Sequence, residues 1–190
     1  MALSAMRPGA LKAVILNDVG PVIDMDAKSS LERHVARRKK GGFPVWRRRL
    51  HRGANAGCFV APTIVEMDSI LDLKRENFGP ILHVVRYRAA DLGRVVEDIN
   101  ATGYGLTMGL HSRNDDTRAF VESRIKVGNF YVNRNQIGAV VESQPFGGEG
   151  LSGTGPKAGG PHYVARFATE RVVTVDTTAA GGNASLLASM

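Results

Sequence analysis

The sequence predicts an α/β fold, a mostly parallel sheet with flanking helices, and three observations carry that prediction. Strand-like apolar runs at residues 81–88, 106–111 and 129–133 alternate with amphipathic helical stretches at residues 89–102 and 115–126. The connections between them are short, which is the pattern of strands joined by crossover helices. A glycine-dense stretch then follows the last strand: residues 128–163 hold nine of the 22 glycines in 36 residues, beside only two acidic side chains, Glu142 and Glu149. Glycine loses more backbone freedom on ordering than any other residue, so this density marks backbone at φ > 0 or in close approach to another group. The stretch reads as a strand running out into a shaped loop at the strand end of the sheet. It either lines a ligand site or is a long structural loop.

At 190 residues, with 43% apolar and 23% charged residues, the chain is an ordinary globular protein with one sizeable core. No run of 18 apolar residues occurs, so no transmembrane segment is expected. The N-terminal stretch MALSAMRPGALKAVIL is apolar with one early Arg. Pro8-Gly9 interrupts it and no small-residue cleavage site follows, so a signal peptide is not expected. A single cysteine, Cys58, excludes an internal disulfide and fits a reducing cytoplasm. The net charge of +7 is uneven: nine of the 25 Lys and Arg lie between residues 33 and 52, where no acidic residue occurs. Such a run could hold nucleic acid or an anionic membrane surface, but it has only Phe43 and Trp46 for stacking. It reads better as a solvated helix end and an exposed hairpin, and nucleic acid is not an expected partner.

In chain order, residues 1–16 show no period, and residues 18–24 are extended and broken by Gly20-Pro21. Asp24 or Asp26 caps a helix over about residues 27–40, with Leu31, His34 and Val35 on one face and Gly41-Gly42 at its end. His34 has no second metal-binding side chain at ligand spacing and reads as a partly buried histidine. Residues 43–49 and 59–65 read as strands, with Pro62 marking an edge or bulge. Residues 68–75 form a short helical turn leading into Glu76-Asn77-Phe78-Gly79-Pro80, where Gly-Pro alone marks only a break. Leu92, Val95, Val96 and Ile99 repeat at helical spacing and Gly103 stops that helix. Asp115 and Asp116 suit the start of the next helix, which Gly128 ends. Residues 162–168 read as a short helix with a structural His162, and residues 171–176 as a β-rich strand.

Residues 129–141 read Asn-Phe-Tyr-Val-Asn-Arg-Asn-Gln-Ile-Gly-Ala-Val-Val, and residues 144–161 read Gln-Pro-Phe-Gly-Gly-Glu-Gly-Leu-Ser-Gly-Thr-Gly-Pro-Lys-Ala-Gly-Gly-Pro. These resemble the C-terminal part of aldehyde dehydrogenases. More narrowly, Asn135–Ala139 and Gly159–Tyr163 resemble the L-glutamate-γ-semialdehyde (Δ1-pyrroline-5-carboxylate) dehydrogenase module of bifunctional proline utilization A proteins. The resemblance runs from about residue 17 to the end, and it implies a C-terminal fragment of that module. Residues 1–168 would be part of the catalytic domain, and residues 169–190 an oligomerisation strand and tail.

The implied chemistry is oxidation of the semialdehyde to L-glutamate with NAD+. A thiolate attacks the aldehyde, hydride passes to the nicotinamide, and a general base activates water for thioester hydrolysis. Glu76 and Phe78 match the Glu-x-Phe-Gly-Pro motif, whose carboxylate accepts from the nicotinamide-ribose hydroxyls while the ring packs near the nicotinamide. Without the resemblance Glu76 is a surface carboxylate at a helix end. Gly138 and Ala139 match the loop that anchors the substrate α-carboxylate through backbone N–H groups, and Phe146 matches a pocket wall. Many relatives have Gly where Glu142 stands, which leaves that loop's shape open.

No catalytic residue is assigned. Cys58 stands just before Phe-Val-Ala-Pro-Thr rather than in the family's nucleophile loop, and it reads as structural. The nucleophile, the general base and the nucleotide-binding half lie upstream in the family, so the isolated chain is expected to be inactive. No metal is implied, and FAD would belong only to a proline dehydrogenase half. A homo-oligomer acting on a small molecule is expected. The reading from another class is a non-catalytic oligomerisation or interaction module with a basic surface.

Overall fold

Asp24 rather than Asp26 starts the first helix, α1 (Met25–Lys40): its side chain accepts from the Ala27 amide at 2.7 Å, while Asp26 sits in the first turn. Arg37, Arg38, Lys39 and Lys40 occupy the last turn, where positive charge meets the free carbonyls. The computed structural model to which these elements belong describes residues 2–4, 20–54, 57–136, 140, 143–176 and 188–189.

The inner face of α1, Leu31, His34 and Val35, is buried near a sheet of three strands, β2 (Val45–Arg47), β3 (Thr63–Met67) and β4 (Ile81–Val85), numbered after β1 (Ala2–Ser4). β3 lies in the middle, antiparallel to β2 and parallel to β4. Thr63, Ile64, Val65 and Met67 are buried, the near-continuous run expected of a central strand. The expected strand at residues 59–65 therefore starts four residues late, after Pro62. There the missing amide takes no ladder bond away, while the Pro62 carbonyl accepts from Arg48 N at 3.0 Å. Pro62 marks neither an edge nor a bulge.

One 3₁₀ turn (Ile70–Asp72, capped by Ser69) follows β3. A second (Ala89–Asp91) leads into α2 (Leu92–Ala101), which the left-handed Gly103 (φ 76°) closes. Two residues, β5 (Tyr104–Gly105), pair antiparallel with β8 (Glu149–Gly150). Between them come β6 (Thr107–His111), α3 (Asp115–Glu122, capped by Asn114) and β7 (Asn129–Val132). Ile70, Val96, Ile99, Met108, Leu110 and Val121 form the core they share.

Three of the strand pairings are parallel, β1 with β6, β6 with β7, and β3 with β4, so the α/β class with mostly parallel pairing stands. The strands nevertheless form separate sheets, because β4 joins β3 rather than β6. β7 takes one edge of β6, and β1 takes the other, from a stretch whose sequence shows no period. Two expected elements differ as well. α3 ends at Glu122 rather than near Lys126, because the Asn100 side chain donates to Arg124 O (2.9 Å) and accepts from Lys126 N (2.8 Å), holding that backbone out of the helix. Residues 171–176 form no strand and lie exposed, since no described strand edge stands beside their alternating valines. The short helix expected at residues 162–168 is a 3₁₀ turn, Val164–Phe167.

Candidate functional site

The glycine stretch is a strand followed by a leg that returns alongside it. After β7, Asn133 turns the chain with a left-handed φ of 55°, and its side chain clasps Ser112 by accepting from the amide (3.0 Å) and donating to the carbonyl (2.9 Å). The chain comes back at Gln144, whose Oε1 accepts from Arg134 at 3.0 Å. It then runs antiparallel to β7, so that Pro145 and Gly147 reach Asn129 at the strand's start. Asn129 donates to Pro145 O (3.0 Å) and accepts from Gly147 N (3.2 Å). Beyond this leg, Phe146 pairs with Ala158 through both backbone groups, at 3.0 and 2.9 Å. The Lys157 ammonium donates to Gly147 O at 2.8 Å and to Gly128 O.

The leg lies so close that Gly128 has no alternative: a Cβ there would run into the Gly147 carbonyl. Phe146 is thereby held half-buried on fixed backbone. Gly138 and Ala139, between β7 and this leg, lie outside the described residues.

Glu76 and Phe78 belong to the other sheet, on the segment entering β4. Gly79 packs against the Leu31 side chain of α1, which would have to shift to admit a Cβ there. Asn77 closes on Arg75 O at 3.0 Å. Glu76 points to solvent with no hydrogen bond or ion pair among the described residues, and the Phe78 ring is 81% exposed. Glu76 and Phe78 are neighbours in sequence, and no described contact joins either to Phe146.

Cys58 is half-buried, and its carbonyl accepts from Val22 N at 2.8 Å. His34 is more deeply buried than the expected partly buried histidine, and has a partner the sequence did not suggest: its Nε2 meets His83 Nε2 at 2.8 Å, with the rings edge-on at 76°. Burial first, then the neighbouring imidazole and Arg38, holds His83 down to about 4, and burial and Arg38 lower His34. Among the described residues no three His, Cys, Asp or Glu side chains gather as metal ligands, and no helix is long and apolar enough to cross a membrane. Asn129 and Lys157 were also missed. Lys157 is the only Lys or Arg between residues 144 and 163, and a lone cation in neutral glycine-rich chain was the available signal.

The aldehyde dehydrogenase family model matches residues 5–173. The chain belongs to the aldehyde dehydrogenase family. The bifunctional protein PutA of Rhizobium meliloti is 59% identical over 152 residues, covering 80% of this chain and 12% of that protein. A crystal structure of a proline utilization A (PutA) variant from Bradyrhizobium japonicum superposes with a TM-score of 0.74 at 59% identity, over 85% of this chain and 16% of that one. A 1-pyrroline-5-carboxylate dehydrogenase from Thermus with bound NAD gives 0.66 at 33% identity, over 78% and 28%. The chain thus spans about an eighth of the length of the PutA relative and under a third of the stand-alone dehydrogenase. In this chain Pro-Phe-Gly-Gly at residues 145–148 is the return leg, and Glu76–Gly79 ends on the glycine that packs against α1.

Proposed function

We propose that the chain supplies the C-terminal part of an NAD-dependent dehydrogenase that oxidises L-glutamate γ-semialdehyde, the open form of Δ1-pyrroline-5-carboxylate, to L-glutamate in proline catabolism. The observation that carries the reading is the return leg: Phe146 is held on fixed backbone beside β7, in a chain 59% identical to a bifunctional PutA protein. In this reading Phe146 walls the aliphatic middle of the substrate, and the Gly138 and Ala139 amides receive its α-carboxylate. A glycine-built loop needs no side-chain cation for that task.

The residues at the other site fit a nicotinamide cofactor. Glu76 offers a carboxylate with no described partner to two vicinal hydroxyls, and beside it Phe78 offers an uncovered ring. Glu76 would hold the ribose hydroxyls of NAD+ and Phe78 would lie beside its nicotinamide, and the cofactor would supply the hydride acceptor for aldehyde oxidation. FAD belongs to a proline dehydrogenase half, outside these residues. The whole protein is a homo-oligomer in the cytoplasm, with residues 169–190 as its oligomerisation segment and tail. Residues 171–176, exposed and in no strand here, become a strand only against a second copy. The isolated chain turns over no aldehyde, because its one cysteine, the half-buried Cys58, is structural.

NADH formation from the semialdehyde, assayed with the purified chain and with Cys58→Ser, should be nil in both; turnover lost on Cys58→Ser would make Cys58 the nucleophile. In an intact dehydrogenase carrying this segment, Ala139→Pro removes one amide donor to a charged group. That should cost about ten- to a hundredfold in kcat/KM for the semialdehyde, with little change for propanal. Ala139→Gly keeps the amide and should lose far less. Equal losses for both aldehydes would make the loop mere scaffold.

A further inference from the structure

We propose that Asn129 and Lys157 are positioning residues that hold Phe146 in one place and thereby set which aldehyde tails an intact dehydrogenase carrying this segment accepts. The inference rests on the reading of Phe146 as a pocket wall. Phe146 is gripped from both sides of the leg. On one side its own amide and carbonyl are paired with Ala158. On the other, its two chain neighbours are tied to a single carboxamide, with Pro145 O accepting from Asn129 Nδ2 and Gly147 N donating to Asn129 Oδ1. The carboxamide donates through Nδ2 and accepts through Oδ1 at once; a carboxylate would lose the bond to Pro145.

Lys157 locks the arrangement. Its ammonium donates to Gly147 O at 2.8 Å, to Gly128 O, and to Asn129 Oδ1 at 3.4 Å. An ammonium has three N–H donors, and all three are committed to neutral oxygens of β7 and the leg. Lys157 is therefore not free to bind a substrate carboxylate or to transfer a proton. Its effect on chemistry passes through Phe146. Because Lys157 precedes Ala158, the same short segment supplies both the ladder partner of Phe146 and the cation behind it. Charge-assisted bonds of this kind are about twice as strong as neutral ones, which suits a clamp on a glycine-rich leg with no packing of its own.

The clamp is tested first in the 190-residue chain with Cys58→Ser and Lys157→Cys. Alkylation with 2-bromoethylamine then restores an ammonium on a lysine-like arm, whereas iodoacetamide adds a neutral group. Amide exchange at Phe146 and Ala158 should rise about tenfold or more in Lys157→Cys and in its iodoacetamide adduct, and return with the aminoethyl adduct. Exchange restored equally by both adducts would reduce Lys157 to a space-filler and overturn the clamp.

In the intact dehydrogenase, Lys157→Met and Phe146→Ala should both lower the ratio of kcat/KM for L-glutamate γ-semialdehyde over propanal, chiefly through KM. A shift with Phe146→Ala alone would overturn the clamp and leave the pocket-wall reading standing. No shift with Phe146→Ala would remove that reading and the selectivity role together. Should Lys157→Met not fold, Asn129→Ala takes its place, and an unchanged ratio there counts against the proposal in the same way.

Discussion

The β6 core and the outer edge of β7 lie one strand apart and are held by opposite means. On β6, Met108 and Leu110 are 2% and 3% exposed and meet Val96, Ile99 and Val121 from the helices. Interlocking side chains do the holding there, and each buried methylene adds about 0.8 kcal/mol. At β7's outer edge and in the turn that follows the leg, backbone meets backbone: Gly128 lies on Gly147, Gly148 on Ser152, and Gly153 on Gly148. The remaining polar groups are closed by Asn129 and Lys157 rather than by apolar area. The core therefore responds to lost volume in a graded way, whereas Gly128, Gly148 and Gly153 each face backbone and accept no Cβ unless that backbone shifts. Hydrogen bonds to this backbone hold Phe146 in place while its ring stays half-buried.

Substitutions at the two places should separate these modes. Met108→Ala leaves a cavity in the shared core and should cost about 2–5 kcal/mol, read as a lower urea midpoint with faster amide exchange in α2, α3 and β7 alike. Gly128→Ala should cost about 1–3 kcal/mol through overpacking, with the faster exchange confined to residues 143–158. Gly20→Ala, with nothing within 4 Å of where its Cβ would stand, is the neutral control. A uniform loosening with Gly128→Ala, like that of Met108→Ala, would erase the distinction between core and edge.

The same division decides what could be read in the sequence. α2 was legible from the spacing of Leu92, Val95, Val96 and Ile99 and from Gly103, because helix periodicity and stop are local. A cap at Asp24 or Asp26 was legible for the same reason, but the choice of Asp24 came only from its bond to the Ala27 amide. Pairing order was not: β1 has no periodic signal, yet it takes the β6 edge that the crossover pattern reserves for β4. The end of α3 was hidden in Asn100, a side chain on another helix. At the candidate site, Glu76, Phe78 and Phe146 stood out as motif members. What holds Phe146 did not, since Asn129 and Lys157 lie 17 and 11 residues from it in sequence and act on carbonyls, which carry no sequence signature.

The histidine pair supplies the next contrast, because two imidazoles meet beside the α1 face, whereas a carboxamide and an ammonium close the edge of β7. His34 is lowered from 6.5 and His83 is lowered to about 4, with Arg37, Arg38 and Arg75 facing the pair. A histidine whose pKa falls on folding binds fewer protons folded than unfolded. Its contribution is thus complete above pH 6.5 and is lost as pH falls toward about 4. Urea midpoints should decline across that window, and the double variant His34→Leu, His83→Leu should flatten the slope. An undiminished slope in the double variant would place the proton uptake elsewhere. Exchange at Phe146 and Ala158 should rise no more than the global unfolding requires.

The smallest effect sharpens the comparison through salt. Arg47, within the basic run, lies against Glu32 of α1 as a two-pronged pair with both side chains 35% exposed. A pair so open to water is worth only about 0.2–1 kcal/mol, so Glu32→Gln should move the melting midpoint slightly at low salt. Near 1 M salt the screening length is about 3 Å, and the difference between Glu32→Gln and parent should vanish. Lys157 is the contrasting charge: half-buried, with carbonyl oxygens as partners. Salt ions screen long-range attraction between exposed charges, but they do not replace short bonds in a partly buried pocket. The exchange difference between Lys157→Cys and parent should therefore persist at the salt concentration that erases the Glu32→Gln effect. If both fade together, the ammonium is held by the same screened electrostatics as the surface pair, and the edge of β7 loses its separate character.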